Sequence, residues 1–350
     1  MKKLDDIRKL LCADAALITY EPDVAWLTDF TGDSSSVLIT DKNAYFLTDF
    51  RYTEQAQNET GGLFEVVEVP AGKFLSVVEK ILNADGAYSV GIDYTHTTLN
   101  DMDSYGDISA EILDISGILP MLRSIKTQKE IERMKKGAII TESAFYHMLG
   151  IIKEGVSEKD LYAEMIYFFH KNGVEPSFTP IIASGENSSM PHARITDRRL
   201  KKGDFITMDF GVRYEGICTD FTRTVALFGV EEQQKMIYNT VKYAQSAALE
   251  VLRPGISGRE ADAAARDIIN AAGYADSFGH GTGHGVGVEI HEAPRLSVTS
   301  ESVLSEGMVV TVEPGIYLAG KMGVRIEDMA VITKDGCENF YTADKELIII

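Results

Sequence analysis

Residues 153–173, KEGVSEKDLYAEMIYFFHKNG, can be laid over residues 253–273, RPGISGREADAAARDIINAAG, with an offset of 100 residues. Gly155, Ser157 and Gly173 then fall on Gly255, Ser257 and Gly273. In each copy the serine is followed three residues later by an acid, Asp160 or Glu260, the pattern of a helix N-terminus in which side chain and backbone cap each other. The glycines at 173 and 273 suit helix C-termini, which often end on a left-handed residue. A long amphipathic pattern precedes each copy, over 127–152 and about 232–252, and apolar strand patterns follow, over 205–228 and 308–333. Helix, helix and strand pair, twice over, constrain this part of the chain to a pseudo-twofold α+β domain. Two such halves can hold a site between their sheets.

Ahead of the repeat the texture differs. AALIT, SSVLIT, AYFLT, FEVVEV and YSVGIDY read as strands, and helical stretches such as KFLSVVEKIL lie between them. This alternation predicts an α/β layer on a partly parallel sheet. It contains neither a GxGxxG nor a phosphate loop. Thr127 followed by Glu130 predicts a capping box at the start of the next long helix. We place the boundary at 120–126 and divide the chain into domains 1–122 and 123–350, an α/β two-domain protein.

Composition narrows the function classes. Of 350 residues, 45% are hydrophobic and 25% charged, as in ordinary globular proteins. No apolar run approaches the roughly 20 residues that cross a bilayer, and MKKLDDIRKLL does not read as a signal peptide. The net charge of −19 makes nucleic acid and anionic membranes poor partners; its simplest role is solubility. Cys12, Cys218 and Cys337 are odd in number and lack metal-site spacing, so a reducing cytoplasm is expected.

The strand patterns carry acids where apolar residues belong. In FITMDFGVRYEGICTDFTRTVALF, Asp209 and Asp220 interrupt the run, and Tyr214–Gly216 is a plausible hairpin turn. The aspartates are eleven residues apart, and with a two-residue turn this odd separation puts both on one face, opposite or diagonal. MVVTVEPGIY and GVRIEDMAVIT repeat the pattern with Glu313 and Glu327, and Arg325 shares a face with Glu327. A single acid in a strand reads as a bulge, a turn or an edge. Four converging on one apolar site need about four positive charges, which two divalent cations supply.

The stretch HGTGHGVGVEIH at 280–291 alternates glycine with other residues from Gly281 to Gly287. Its period of two predicts a strand, so His280 and His284 are not a helical zinc pair. Glycines on one face allow another backbone to approach closely, while His280, Thr282 and His284 share the other. One imidazole with four carboxylates is an oxygen-rich set that favours Mn, Co, Fe or Zn over Cu(I).

DFG at 209, TDFTRT at 219, GHGTGHGVGVEIHE at 279, VEPGIY at 312 and GVRIED at 323 resemble, in order, the motifs of the pita-bread metallopeptidases. Within that family the chain is similar to the Xaa-Pro dipeptidases (prolidases) and aminopeptidases P. LTDFTGDSSSVLITD and FLTDFRYTEQA resemble the creatinase-like amino-terminal domain of those enzymes.

The resemblance implies roles. Asp209 would chelate one metal, His284 and Glu313 the other, and Asp220 and Glu327 would bridge the two. The ions expected are two per subunit, Mn or Co, with Zn or Fe as alternatives. His192, in SSMPHAR, and His291 would contact substrate and the tetrahedral intermediate from opposite sides, His280 would line the pocket, and Arg325 would pair with a ligand carboxylate. Glu313 would also carry the proton to the leaving imide nitrogen. Arg295, in HEAPRLS, is either a solvated loop charge or the partner of a dipeptide carboxylate. The implied substrates are small peptides with proline second, and the implied assembly is a homodimer. The alternatives are an aminopeptidase P acting on longer Xaa-Pro peptides and a methionine aminopeptidase-like enzyme. The long amino-terminal domain argues against the latter, and the complete ligand set argues against a non-enzymatic binding module.

Overall fold

The computed structural model describes residues 2–350 and divides into two compact units, one ending at Arg123 and one beginning at Ser124. The first contains α1 (Lys2–Leu10), β1 (Ala15–Ile18), α2 (Glu21–Thr28), β2 (Ser35–Thr40), β3 (Ala44–Thr48), α3 (Thr53–Glu59), β4 (Glu65–Glu68), α4 (Phe74–Asp85), β5 (Ser89–Ile92), α5 (Leu99–Tyr105), β6 (Glu111–Asp114) and α6 (Ile118–Ser124). Its strands form one mixed sheet, β4-β3-β2-β1-β5-β6, parallel at β3–β4, β1–β5 and β5–β6. β1 and β3 are buried along their whole length. Leu17, Leu38, Leu47 and Val90 from the sheet pack with Val78 and Leu82 of α4, as expected for strands covered by helices. Trp26 is a buried core residue of this unit.

The second unit contains α7 (Gln128–Leu149), α8 (Glu158–Lys171), β7 (Glu175–Pro176), β8 (Ile181–Ser184), β9 (Phe205–Phe210), β10 (Val212–Tyr214), β11 (Ile217–Cys218) and β12 (Phe221–Ala226) in its first half. The second half contains α9 (Glu232–Val251), α10 (Gly258–Ala271), β13 (Gly283–Gly285), β14 (Glu292–Leu296), β15 (Val309–Val312), β16 (Gly315–Leu318), β17 (Met322–Arg325), β18 (Asp328–Ile332) and β19 (Cys337–Asn339). Thr127, Ser157 and Ser257 each cap their helix in a full capping box, with Glu130, Asp160 and Glu260. The repeat extends to the backbone: Gly155 and Gly255 have φ +85° and +88°, and Gly173 and Gly273 +70° and +86°. A side chain is strained at these angles.

Two apolar cores form, each centred on the helices of one half and completed by strand residues of the other. α7 and α8 pack with Met208 and Phe210 of β9, and α9 and α10 with Val310 and Val312 of β15 and Ala330 of β18. The sheets β12-β9-β8 and β14-β13-β15-β18-β19 are joined where Thr222 bridges Glu327 and Glu327 N–H donates to the Thr222 carbonyl at 3.0 Å. The histidines outside the motifs pack locally: His96 stacks on Tyr20, His147 on Phe168, and His170 pairs with Glu175.

Two strand expectations change. The long hairpin over 205–228 breaks at Gly211 into two ladders that keep one register, Phe210 with Phe221 and Arg213 with Cys218. A Cβ at Gly211 would collide with the Thr219 carbonyl, so the chain crosses itself there only as glycine. The 280–287 ladder is strand only over Gly283–Gly285, with a register shift between His284 and Gly285. Its glycines do meet backbone: Cβ atoms at 281, 283 and 285 would strike the carbonyls of Leu296, Thr311 and Ala293. The strand is short because the chain must bulge and reverse through 286–291 to return as β14.

Candidate metal centre

β9 presents Asp209, and the start of β12 presents Asp220. Asp209 pairs with Thr222, so Asp220, two residues before Thr222, is its diagonal neighbour on the same face. β13 delivers His284, the end of β15 delivers Glu313, and the β17–β18 junction delivers Glu327. Ligand atoms of Asp220, His284 and Glu327 lie within 4.8 Å of one another. His284 Nε2 is 3.2 Å from Glu313 Oε1 and 3.6 Å from Asp220 Oδ2. These residues, with His192, His280, His291, Arg295 and Arg325, line one cavity of about 510 Å³.

Hydrogen bonding in the cavity is incomplete in one respect. Asp209 Oδ1, Asp220 Oδ1 and Glu327 Oε1 are buried and have no hydrogen-bond partner among the described residues. The other oxygens are engaged: Asp209 Oδ2 by Arg325, and Glu327 Oε2 by the Thr222 hydroxyl at 2.6 Å. His284 Nδ1 lies 3.0 Å from the Gly285 carbonyl. A carbonyl only accepts, so Nδ1 carries a proton; Nε2, facing two carboxylates, donates to them when the ring is charged and offers its lone pair to a cation when it is neutral. Lone pairs converging from four acids and an imidazole, with few donors among them, fit a cation.

The electrostatics agree. Burial first, then the neighbouring acids, push the carboxyl pKa values of Asp220 and Glu327 well above the usual range. Burial also raises Asp209, against the pull of Arg325. Glu313 is held down to about 2: burial opposes this, and the hydrogen bond and charge of His284 override it. Ionising all four acids together is therefore costly here without added positive charge. Burial, then the charges of His284 and Arg295, lower His291, and burial lowers His280, so both rings are neutral near pH 7.

Arg325 ties the walls together. It holds Asp209, donates to the Tyr317 hydroxyl at 2.8 Å and reaches the Pro191 carbonyl at 3.2 Å, next to His192. His280 Nε2 lies 3.0 Å from the same Tyr317 hydroxyl. His291 packs edge-on to His284 with ring centroids 4.4 Å apart. Arg295 is exposed on the cavity side. The apolar walls are Phe178, Ile181, Pro191 and Ile290. Tyr317 and Thr222 were not singled out from sequence. Thr222 is two residues from Asp220, and Tyr317 is four from Glu313; both even spacings carried a same-face signal. Asp262 was also passed over. It binds the Thr282 N–H and hydroxyl and pairs with Arg266 one turn on, a charged pair on an otherwise apolar helix face.

Residues 132–334 match the model of metallopeptidase family M24, and residues 1–125 match the creatinase/prolidase N-terminal domain. The Xaa-Pro dipeptidase of Pyrococcus horikoshii is 35% identical, covering 99% of this chain and 98% of its own. A solved Xaa-Pro dipeptidase from Bacillus anthracis superposes with TM-score 0.97 at 41% identity, over 100% of this chain and 99% of that one. An X-Pro aminopeptidase from Thermotoga maritima superposes with TM-score 0.92 at 35% identity, over 98% and 99%. Acids and a histidine supplied by both halves of a duplicated domain, a creatinase-type domain ahead of them and near full-length likeness agree: the chain belongs to metallopeptidase family M24, with an amino-terminal creatinase/prolidase domain and a carboxy-terminal pita-bread domain.

Proposed function

We propose that the chain hydrolyses the imide bond of Xaa-Pro dipeptides. The observation that carries this reading is the trio of buried carboxylate oxygens with no donor, on Asp209, Asp220 and Glu327. An apolar-walled cavity with unpaired acids is costly to fold unless a cation fills it. Asp209, Asp220, His284, Glu313 and Glu327 would hold two divalent cations, Mn or Co, as the oxygen-rich donor set favours. Bound there, the cations supply Lewis acidity and make water a competent nucleophile near neutral pH.

The chain's own groups do the rest. Water oxygen bonds to the carbonyl carbon preceding proline, and the bond from that carbon to the imide nitrogen breaks. Glu313 accepts the water proton and passes it to the nitrogen. His192 and His291 each donate an N–H to the developing oxyanion; a neutral ring has one N–H to give. Arg325 favours the ionised form of Asp209 and holds it in place. His280 closes the wall beside Tyr317, and Arg295 offers a guanidinium to the carboxylate of a two-residue substrate. Proline's ring fixes φ and removes the amide N–H, so recognition rests on shape against the apolar wall. Domains 1–122 and 123–350, a homodimer and a cytoplasmic location complete the reading; an odd count of three cysteines suits a reducing compartment.

Manganese-loaded protein assayed on Ala-Pro and Ala-Pro-Ala tests it. Cleavage of the dipeptide alone is expected, lost on chelation and restored by metal. Equal cleavage of the tripeptide means the aminopeptidase P reading is correct, and inactivity on both overturns the proposal.

A further inference from the structure

The loop that carries His291 is anchored by a buried ion pair outside the cavity. Lys126 Nζ donates to Glu292 Oε2 at 2.8 Å, with side chains 3% and 4% exposed and positions 166 apart in the chain. Glu292 Oε1 accepts the N–H of Glu289 at 3.1 Å. Gly287 lies against the same carboxylate, where a Cβ would overlap it. The loop is pinned further where the Cys218 N–H donates to the Gly287 carbonyl at 2.8 Å and Arg213 to the Val288 carbonyl at 2.7 Å. Burial alternates along the emerging strand: Glu292, Pro294 and Leu296 face inward, while His291, Ala293 and Arg295 face out. Lys126 is itself tied down, its N–H donating to the Gly307 carbonyl at 2.8 Å. The inward anchor Glu292 and the outward imidazole of His291 are adjacent residues, so a shift of one moves the other.

We propose that Lys126 is a positioning residue for His291. Its ammonium holds the Glu292 carboxylate, which closes the 287–292 loop and aims His291 beside His284. This rests on the role assigned to His291 above. A charged pair taken out of water is weak support for stability, because apolar residues of similar volume often replace it without loss; a positioning role accounts for a pair kept at this place.

A double-mutant cycle with His291→Ala tests the proposal on full-length, manganese-loaded protein. Misplacing a catalytic group by about 1 Å can lower turnover about 100-fold, so Lys126→Met is expected to lower kcat about 10- to 100-fold, with KM and bound metal little changed. In the His291→Ala background the same substitution should lower kcat less than about 3-fold. Glu292→Gln, which keeps an acceptor for the ammonium, should lie between wild type and Lys126→Met. If Lys126→Met does not fold, Lys126→Met with Glu292→Leu removes both charges and is read in the same cycle. Equal losses in the two backgrounds, or full kcat in Lys126→Met, overturn the proposal. Full activity of His291→Ala instead overturns the role given to His291.

Discussion

Glu327, at the β17–β18 junction, and Asp328, the first residue of β18, are chain neighbours on opposite sides of an extended backbone, at 1% and 0% exposure, and meet different surroundings. Asp328 Oδ1 accepts from Arg223 at 2.7 Å, and Oδ2 from Lys345 at 2.7 Å, Asn339 at 2.8 Å and Gln245 at 3.0 Å. Arg223 also spans the Glu327 and Ala343 carbonyls. Asp328 is thus saturated, and although burial opposes it, the charges of Arg223 and Lys345 hold its pKa below the usual value. Glu327 has one protein donor, the Thr222 hydroxyl, an orphaned oxygen and acids for neighbours. Asp328 is supplied with donors by the fold, whereas Glu327 is left short of them beside other acids in the same plight, and that shared shortfall marks where a cation belongs.

The comparison breaks most decisively at the cavity face. Asp220→Asn should remove metal binding and turnover together, read by metal content and by Ala-Pro hydrolysis, while the metal-free protein stays folded, because a repulsive charge has gone. If the variant keeps full metal and activity, the cavity is not the metal site. On the other face Asp328→Asn should cost about 3–5 kcal/mol in urea unfolding, the scale for leaving a buried cation uncompensated. Its folded fraction should still bind metal. A variant that folds normally but loses metal would mean the two faces are one unit.

The smallest effect is a matter of sign. Burial and neighbouring acids raise the pKa values of Asp220 and Glu327, so the folded, metal-free protein keeps protons that the unfolded chain releases near pH 4. That stability is full below about pH 4 and is lost as pH rises through the raised values. Asp328 is depressed, so its contribution is present above about pH 4 and is lost as pH falls through its lowered value. Urea unfolding of metal-free protein against pH should therefore decline on both sides. Asp220→Asn should flatten the alkaline limb and leave the acid limb; an unchanged alkaline limb would place the raised pKa elsewhere.

Much of the site was legible because it depends on short-range periodicity. Parity along two-residue repeats puts Asp209 with Asp220 and Arg325 with Glu327 on shared faces, and capping chemistry locates the duplicated helices from Thr127, Ser157 and Ser257. The ladder at 280–287 was legible only in part. Its glycines announce close backbone contact, but the register shift at His284 depends on where β14 returns, which no local pattern encodes.

By itself, then, the sequence determined the duplication, the strands that carry acids, and the count of acids against one imidazole, since each follows from spacing within an element or from an offset between copies. Only the tertiary structure decided that Asp328 is saturated while its neighbour Glu327 is not, that Tyr317 joins Arg325 to His280, and that Lys126 reaches Glu292. Those are contacts between residues from 8 to 166 positions apart, set by how the layers pack, and hydrogen-bond satisfaction is a property of the packed surroundings rather than of any one strand.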